Sequence, residues 1–246
     1  MSIRDSHVSL TYKGAGGESL EDITFTAEPG KTIGIIGGTG SGKSSLVHMI
    51  PRFYDVTEGS VRINGQDVKS YRMDDLRQHI GIVMQKAVLF HGTIRENIRW
   101  GAPEATDEQI NEALELAQAA EVVAGKPEGL DYEIEQGGRN LSGGQRQRFT
   151  IARALVRKPS VLILDDSASA LDFATDAKLR KALASLKSTS TIFIVSQRTS
   201  SIQQADKILV LDDGKLVGMG THEELLKNCQ TYREIYNSQY GKKEEA

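Results

Sequence analysis

The chain has 246 residues, of which 39% are hydrophobic and 26% are charged, and its formal net charge is -3. These values are ordinary for a folded protein with one large domain or two small ones, and they argue against disorder. The nearly balanced charge gives no sign of a surface for nucleic acid or for anionic lipid. A single cysteine, Cys229, excludes an intrachain disulfide, and no apolar run approaches the ~20 residues of a membrane-spanning helix.

The amino-terminal third predicts β structure, then a strand, a turn and a helix. In residues 1–30, apolar and polar residues alternate in two runs that glycines separate, which is typical of a β hairpin. Residues 32–37 predict a buried strand, and the helix expected over residues 43–50 ends before a proline. The Asn64-Gly65 pair predicts a tight turn between two short strands.

The rest of the chain alternates apolar strands with helices. Strands are predicted at residues 80–84, 161–164, 191–195, 208–211 and 215–217, and helices from Thr106, from Ser142 to about Val156, over residues 174–186 and from Thr221. Thr106 with Gln109, and Thr221 with Glu224, have the spacing of a capping box. The alternation predicts an α/β core, which a helical insertion at residues 86–149 divides.

Residues 37–44 indicate a phosphate site. They are Gly-Gly-Thr-Gly-Ser-Gly-Lys-Ser, which is the spacing of a phosphate-binding loop, and they lie between a predicted strand and a predicted helix. Glycines let successive backbone N–H groups turn toward phosphate oxygens, and the N-terminus of a helix favours negative charge. In such a loop, Lys43 supplies a positive charge to the phosphates and Ser44 a ligand to magnesium.

An acidic residue follows the apolar strand predicted at residues 161–164. Asp165 is therefore placed at the carboxyl end of that strand, where ligands bind in open α/β sheets. By itself, a buried strand ending in aspartate is more often structural than catalytic. Beside a phosphate loop it predicts a magnesium ligand opposite Ser44.

A five-residue motif points to a family. The signature motif is Leu141-Ser142-Gly143-Gly144-Gln145, and it lies between the phosphate loop and the strand that precedes Asp165. In this order, the motifs resemble the nucleotide-binding domain of ATP-binding cassette (ABC) transporters, and the resemblance covers residues 8–240. It implies a P-loop (RecA-like) α/β core with an antiparallel β subdomain and an inserted α-helical subdomain. The implied ligands are ATP and Mg²⁺.

The resemblance implies a single domain over residues 1–246. Its ATP-binding core, with the β subdomain, would comprise residues 1–85 and 150–240. The helical subdomain, with the signature motif, would comprise residues 86–149, and residues 241–246 would form a charged tail.

The resemblance also assigns roles to individual residues. Tyr12 is similar to the aromatic residue on which adenine stacks, although an alternating strand equally predicts a tyrosine of the core. Gln85 resembles the Q-loop glutamine, which reaches magnesium and relays movement of the transmembrane domain, and Asp172 belongs to a segment similar to the D-loop at the dimer interface. The implied metal ligands are Ser44, Gln85 and Asp165, and the implied contacts to ATP are Tyr12, Gly38, Thr39, Gly40, Ser41, Gly42, Lys43, Ser44 and Ser45.

In this family two domains pack head to tail. The signature motif would therefore complete the ATP site of a partner domain, where N–H groups at a helix N-terminus face the γ-phosphate. Residues 89–98 and 220–226 resemble exporters, in which this domain follows a transmembrane domain on the same polypeptide. We accordingly expect the carboxyl-terminal domain of a full-length transporter, at the cytoplasmic face of the plasma membrane.

Two residues depart from the family pattern at the catalytic centre. Asp166 stands in place of the glutamate general base, so its carboxylate falls about 1.3 Å short of the attacking water, and a misplacement near 1 Å costs on the order of 10²-fold in rate. Gln197 stands in place of the switch histidine and carries no positive charge. Together they predict a site that binds ATP and hydrolyses it poorly. A third departure, at residues 135–139, leaves Glu135 or Gln136 to contact the transmembrane domain.

These observations favour the degenerate-site subunit of a heterodimeric exporter, with a different subunit as partner. One alternative is a homodimeric exporter domain that hydrolyses ATP despite Asp166. Another is an ABC ATPase that acts on nucleic acid, which the mildly acidic charge and the lack of sustained heptads before the signature motif disfavour. A separate importer subunit is disfavoured only by the exporter-like segments.

Overall fold

The computed structural model describes residues 1–14 and 16–240, and the charged tail expected at residues 241–246 lies outside them. The strands are β1 (Ile3–Leu10), β2 (Leu20–Ala27), β3 (Thr32–Gly37), β4 (Glu58–Ile63), β5 (Gln66–Asp67), β6 (Ile80–Val83), β7 (Gly92–Thr93), β8 (Glu133–Ile134), β9 (Val161–Asp165), β10 (Thr191–Val195), β11 (Lys207–Asp212) and β12 (Lys215–Gly220). The helices are α1 (Lys43–His48), α2 (Met73–Gln78), α3 (Ile94–Arg99), α4 (Asp107–Leu116), α5 (Ala120–Ala124), α6 (Gly143–Leu155), α7 (Phe173–Ala184), α8 (Thr199–Ile202), α9 (His222–Asn228) and α10 (Gln230–Tyr240).

A six-stranded sheet with the order β12-β11-β3-β10-β9-β6 forms the centre of the fold. Its strands are parallel, except that β12 pairs antiparallel with β11. Strands β3, β9 and β10 are buried along their whole length, which suits their almost continuous apolar sequences. Because these three strands are neighbours and run in the same direction, the loops that follow them meet at one edge of the sheet.

Alternate residues of the buried strands pack into two separate hydrophobic cores. In β9, Val161 and Ile163 belong to the core shared with α1 and the β1–β2 strands. Leu162 and Leu164 belong to the core shared with α4 and α6. This division follows from the twofold side-chain period of a strand, and it holds the sheet between two apolar layers.

A four-stranded antiparallel sheet, in the order β2-β1-β4-β5, packs on the first of these cores. It contains the predicted hairpin of β1 and β2, and the predicted turn at Asn64-Gly65 joins β4 to β5. The register of β1 shifts between Asp5 and Val8, where His7 has a φ of 50°. This β-bulge returns Val8 to the buried face of the sheet. The mixed α/β fold class predicted from the sequence is therefore confirmed.

In the part of the chain that the structure describes, four helices begin with a complete capping box. The boxes predicted at Thr106 and Thr221 are confirmed, and they begin α4 and α9. Two more, at Thr93 and Ser142, begin α3 and α6. In each box the cap hydroxyl accepts from a backbone N–H of the first turn, and a Glu or Gln side chain accepts from the N–H of the cap residue.

Several predicted boundaries differ from the structure: the helix predicted over residues 43–50 ends at His48, and the strand predicted at residues 215–217 extends to Gly220. The final helix predicted from Thr221 is two helices, because Cys229 adopts an extended conformation between α9 and α10. The helix predicted over residues 174–186 begins one residue earlier, because Asp172 is its N-cap. It ends two residues earlier, at Ala184, where a 3₁₀ turn follows. Strand β1 ends before Tyr12, which lies in the loop after it.

Asp5 is a buried carboxylic acid in the antiparallel sheet. It lies on β1 between Phe25 of β2 and Val61 of β4, and it is 0% exposed. Neither carboxyl oxygen has a hydrogen-bond partner in residues 1–14 and 16–240. Burial raises the pKa of Asp5 to about 8, because the charged form loses its contact with water. The folded chain therefore keeps Asp5 protonated at neutral pH, whereas the unfolded chain ionises it.

We expect Asp5 to lower the stability of the chain as the pH rises. Below the ordinary pKa of 3.8 both states hold the proton. Above it only the folded state does, so the free energy of unfolding falls by about 1.4 kcal/mol per pH unit until the folded carboxyl also ionises. Asp5→Asn should abolish this loss, which amounts to about 3 kcal/mol between pH 5 and pH 7. Urea unfolding at both pH values measures it, with the exposed Asp212→Asn as control, and an unchanged pH dependence in Asp5→Asn would refute it.

Candidate nucleotide-binding site

The loop between β3 and α1 is shaped by its glycines. Gly40 and Gly42 have φ angles of 83° and 91°, in the region that favours glycine. A Cβ on Gly42 would lie 2.6 Å from Leu20 Cδ2 and 2.9 Å from the Ser19 carbonyl oxygen, so a larger residue would displace the loop. A Cβ on Gly38 or Gly40 would meet nothing within 4 Å. The loop thus presents an open cradle of backbone above α1.

Lys43 lies beneath this cradle and is held by it. Its Nζ donates to the carbonyl oxygens of Gly37 at 2.9 Å and Gly38 at 2.5 Å, and to Ser41 Oγ at 3.3 Å. Burial lowers the pKa of the Lys43 ammonium, and the charges of two neighbouring aspartates oppose that shift. A lysine fixed in this position suits an anionic ligand in the cradle.

Ser44 and Asp165 meet across the loop and the end of β9. Ser44 Oγ donates to Asp165 Oδ1 at 2.8 Å, and Asp165 is only 3% exposed. His48 Nε2 lies 2.9 Å from Asp165 Oδ2 and so engages the second carboxylate oxygen. His48 is a site residue that no motif in the sequence marks. The sequence feature that could identify it is its spacing of four residues from Ser44, which places both side chains on one face of α1.

Asp166 leaves β9 in an unusual backbone conformation. Its φ is 47°, and its N–H donates to the Val195 carbonyl oxygen at 3.0 Å. Gln85 Nε2 donates to Asp166 Oδ2 at 3.0 Å, so the structure brings together two residues predicted to serve the same site. Burial raises the pKa of Asp166 and the charge of Asp165 raises it further, while two nearby cations and the Gln85 hydrogen bond oppose the shift.

Gln197 and Arg198 follow β10 at the same edge of the sheet. Gln197 is exposed, and its carbonyl oxygen accepts from Gln239 Nε2 at 2.7 Å. The Arg198 guanidinium donates to the carbonyl oxygens of Leu171 at 3.3 Å and Ser169 at 3.4 Å. These bonds connect the loop after β10 to the loop after β9, and neither Arg198 nor Gln239 is identified from the sequence.

Tyr12 lies beside the phosphate loop. Its hydroxyl donates to Ser45 Oγ at 2.7 Å, and its ring packs edge-on against Tyr54 with 4.8 Å between centroids. Tyr12 also lines a cavity of about 380 Å³ together with residues 40–45 of the phosphate loop, Glu18 and Asp213. The tyrosine is therefore part of the cavity wall rather than an interior residue of a strand.

The signature motif forms a separate surface. Ser142 Oγ accepts from the Gln145 N–H at 3.2 Å and Gln145 Oε1 accepts from the Ser142 N–H at 3.0 Å, which caps α6. Gly143 lines a second cavity, of about 410 Å³, with Ala170. A Cβ on Gly144 would lie 3.3 Å from the Ala170 carbonyl oxygen. In the described ranges, no residue of the signature motif lines the cavity at the phosphate loop.

Asp172 has a structural role within this chain. Its Oδ1 accepts from the Thr175 N–H at 2.9 Å and its Oδ2 from the Thr175 hydroxyl at 2.8 Å, so it is the N-cap of α7. The hydrogen bonds from Thr175 lower the pKa of the Asp172 carboxyl. These contacts fix the start of α7 and leave residues 169–171 as the loop that Arg198 holds.

Comparison with known proteins identifies the family of this site. Residues 20–169, more than half of the chain, match the sequence profile of ABC transporters. The chain belongs to the ABC transporter family. The ABC domain is 46% identical over 240 residues to an uncharacterized ABC transporter ATP-binding protein of Bacillus subtilis (strain 168), which covers 98% of this chain and 42% of the relative.

Other relatives give a consistent result. The ABC domain is 42% identical over 233 residues to a protein of Staphylococcus aureus (strain NCTC 8325 / PS 47) that is named as a multidrug export ATP-binding/permease protein. The match covers 95% of this chain and 40% of the relative. A bacterial Atm1-family ABC exporter, solved with ATP bound, matches with a TM-score of 0.93 and 36% identity, covering 97% of this chain and 42% of that chain. The ABC domain thus spans less than half the length of these relatives.

Two further features of the ABC domain bear on its neighbours. Within the described residues, no helix is both long and apolar enough to cross a membrane. Glu135 and Gln136, either of which could contact a transmembrane domain, are both exposed. They lie between β8 and α6, close to a turn in which Gly137 has a φ of 73°.

Proposed function

We propose that this ABC domain binds ATP and Mg²⁺ at the phosphate loop and serves as the ATP-binding domain of a membrane exporter. The observation that carries the proposal is the 2.8 Å contact between Ser44 and Asp165, because it joins the cradle and a buried carboxylate in one site. The Lys43 ammonium beneath the cradle adds the charge that phosphates need. Tyr12, in the wall of the adjoining cavity, would contact the adenine.

The residues at this site fit a magnesium ion. The Ser44 hydroxyl and the Asp165 carboxylate are oxygen ligands of the kind that Mg²⁺ prefers, and the Gln85 amide next to Asp166 would be the third protein ligand. When bound, the metal would neutralise charge on the terminal phosphates. His48 holds the other oxygen of Asp165 and so orients that carboxylate.

We infer that this site hydrolyses ATP poorly. The carboxylate of Asp166 is one methylene shorter than that of a glutamate, and it is already engaged by the Gln85 amide at 3.0 Å. Gln197 can donate a hydrogen bond to phosphate but brings no positive charge to the developing transition state. Both differences act on the chemical step and leave the phosphate cradle intact. We therefore expect normal binding of ATP together with slow hydrolysis.

The partners follow from the surface that carries the signature motif. The partner would be a second ABC domain that belongs to a different subunit and packs head to tail with this one. The amino end of α6 in this chain would then face the ATP that the partner holds. The permease part of the relative's name suggests a transmembrane domain on the same native chain. That domain would contact the region around Gln85. The assembled transporter would act at the cytoplasmic face of the plasma membrane in export, with multidrug export the class that this name indicates.

Loss of the Lys43 ammonium is expected to abolish measurable ATP binding by the 246-residue chain. Lys43 is the cation placed by three hydrogen bonds at the phosphate loop, so Lys43→Ala removes the charge that faces the phosphates. Calorimetric titration with Mg-ATP measures the dissociation constant. Lys158→Ala is the control, because Lys158 pairs with Glu112 at the surface. Equal affinity in wild type and Lys43→Ala would refute the assignment of the site.

A further inference from the structure

The carboxyl-terminal helix α10 contacts the segment that follows β10, here termed the switch segment (residues 196–199). Gln239 makes three hydrogen bonds to it. Gln239 Oε1 accepts from the Thr199 N–H and from the Thr199 hydroxyl, both at 2.9 Å. Gln239 Nε2 donates to the Gln197 carbonyl oxygen at 2.7 Å. One amide group therefore engages two backbone groups of the switch segment at once.

The switch segment needs such a partner because α8 is very short. Only four residues, Thr199–Ile202, are helical, and the preceding Arg198 makes no side-chain cap. The first N–H groups of a helix have no acceptor within it, so a cap is normally supplied by a neighbouring side chain in the sequence. Here Gln239, forty residues away from Thr199, supplies that acceptor. The start of α8 thus depends on the position of α10.

Helix α10 is itself anchored firmly at its amino-terminal half. Tyr232 is 0% exposed, and its hydroxyl lies 2.7 Å from His222 Nδ1 on α9. Ile235 packs against the larger hydrophobic core, and the Arg233 guanidinium donates to two carbonyl oxygens at the end of α9. Positions 232, 235 and 239 recur on one face of the helix, so the buried anchor also directs Gln239 toward the sheet.

On the opposite side, the switch segment is held by the loop after β9. Arg198 donates to the carbonyl oxygens of Ser169 and Leu171, and its own N–H donates to Ser196 Oγ at 3.0 Å. The Arg198 N–H belongs to the peptide group between residues 197 and 198, so this group is already held at its nitrogen. The hydrogen bond from Gln239 to the Gln197 carbonyl oxygen restrains that group.

We propose that Gln239 is a positioning residue, through which α10 sets the direction of Gln197 toward the γ-phosphate of bound ATP. The proposal rests on the function proposed above, in which Gln197 faces that phosphate. Gln239 does not line the cavity at the phosphate loop. Its loss should therefore weaken the preference of the site for ATP over ADP, while the binding of ADP, which lacks the γ-phosphate, stays unchanged.

The test is the ratio of the dissociation constants for ADP and ATP in the 246-residue chain. Gln239→Ala is expected to lower this ratio by about fivefold to tenfold, the effect of losing one or two hydrogen bonds, with ADP affinity unchanged. Gln239→Glu keeps acceptors for Thr199 but has no donor for the Gln197 carbonyl. It should lower the ratio as well, while hydrogen exchange at the Thr199 amide stays as slow as in wild type.

Two further variants distinguish a failure of the positioning role of Gln239 from a failure of the switch role of Gln197. Gln230→Ala is the matched control, because Gln230 lies on the same helix and donates to Glu234 there, so it should change neither measurement. Gln197→Ala should lower the ratio as Gln239→Ala does. If Gln197→Ala lowers the ratio and Gln239→Ala leaves it at the wild-type value, the positioning role is overturned and the proposed function stands. If neither variant lowers it, the switch role of Gln197 is overturned together with the positioning role.

Discussion

Replacing Ser142 with arginine is expected to abolish ATP hydrolysis and transport by the assembled transporter. In a head-to-tail pair of domains, the amino end of α6 would face the ATP of the partner, with the Ser142 hydroxyl and the first N–H groups of the helix as donors. Losing one such donor to a developing charge typically costs about 10²-fold to 10³-fold in rate. Arginine also adds bulk at that face, whereas the lost N-cap costs only about 1 kcal/mol of stability.

The matched comparison is Asp166→Asn in the same full-length complex at saturating ATP. This substitution keeps the size of the side chain and its contact with Gln85, and it removes only the carboxylate. If the catalytic site is the one completed by this chain's signature motif, the overall rate should change little. Damage as great as that of Ser142→Arg would mean that the site containing Asp166 is a working catalyst, as in a homodimeric exporter.

The second large effect is a gain of hydrolysis in the chain that carries both Asp166→Glu and Gln197→His. Glutamate extends the carboxylate by one methylene, and histidine can bring a positive charge to the γ-phosphate. A gain of about 10²-fold is expected from the corrected placement of the base. Asp166 has a φ of 47°, and glutamate in this left-handed region costs about 1 kcal/mol, which is smaller than the expected gain.

Phosphate release at high protein concentration measures this gain, because paired chains supply each other with a complete signature motif. Adding Lys43→Ala to the double variant is the control. It should remove the gain, since the activity then arises in the site beneath which Lys43 lies. No gain from the double variant would show that these two positions do not account for a low rate.

The parts of the fold that local sequence determines were predictable. The buried strands β3, β9 and β10 follow from continuous apolar runs, and the boxes at Thr106 and Thr221 follow from a spacing of three residues. The break at Cys229 was not predictable, because the apolar positions on both sides of it continue a helical pattern. The structure nevertheless has extended backbone at Cys229, and α10 begins at the next residue.

In the candidate site, too, some residues could be predicted from the sequence and others could not. The phosphate loop, Asp165 and the signature motif are recognisable because their chemistry requires fixed residue types at fixed spacing. His48 and Gln239 act through contacts with distant segments, and glutamine or histidine in a helix carries no local mark of such a contact. Asp5 occupies a buried position of β1 that alternation alone would give to an apolar residue. Only the packed structure places these three residues.

The most direct test of weak hydrolysis is a single-turnover measurement, with the wild-type chain in excess over ATP at a concentration where two chains pair. All of the ATP is then bound, and the appearance of ADP reports the chemical step in this site alone. We expect the bound nucleotide to be recovered as ATP after many minutes, whereas the chain with Asp166→Glu and Gln197→His converts it about 10²-fold faster. Conversion by the wild-type chain at about 1 to 10 per second, the range of ordinary enzymes, would contradict a degenerate site.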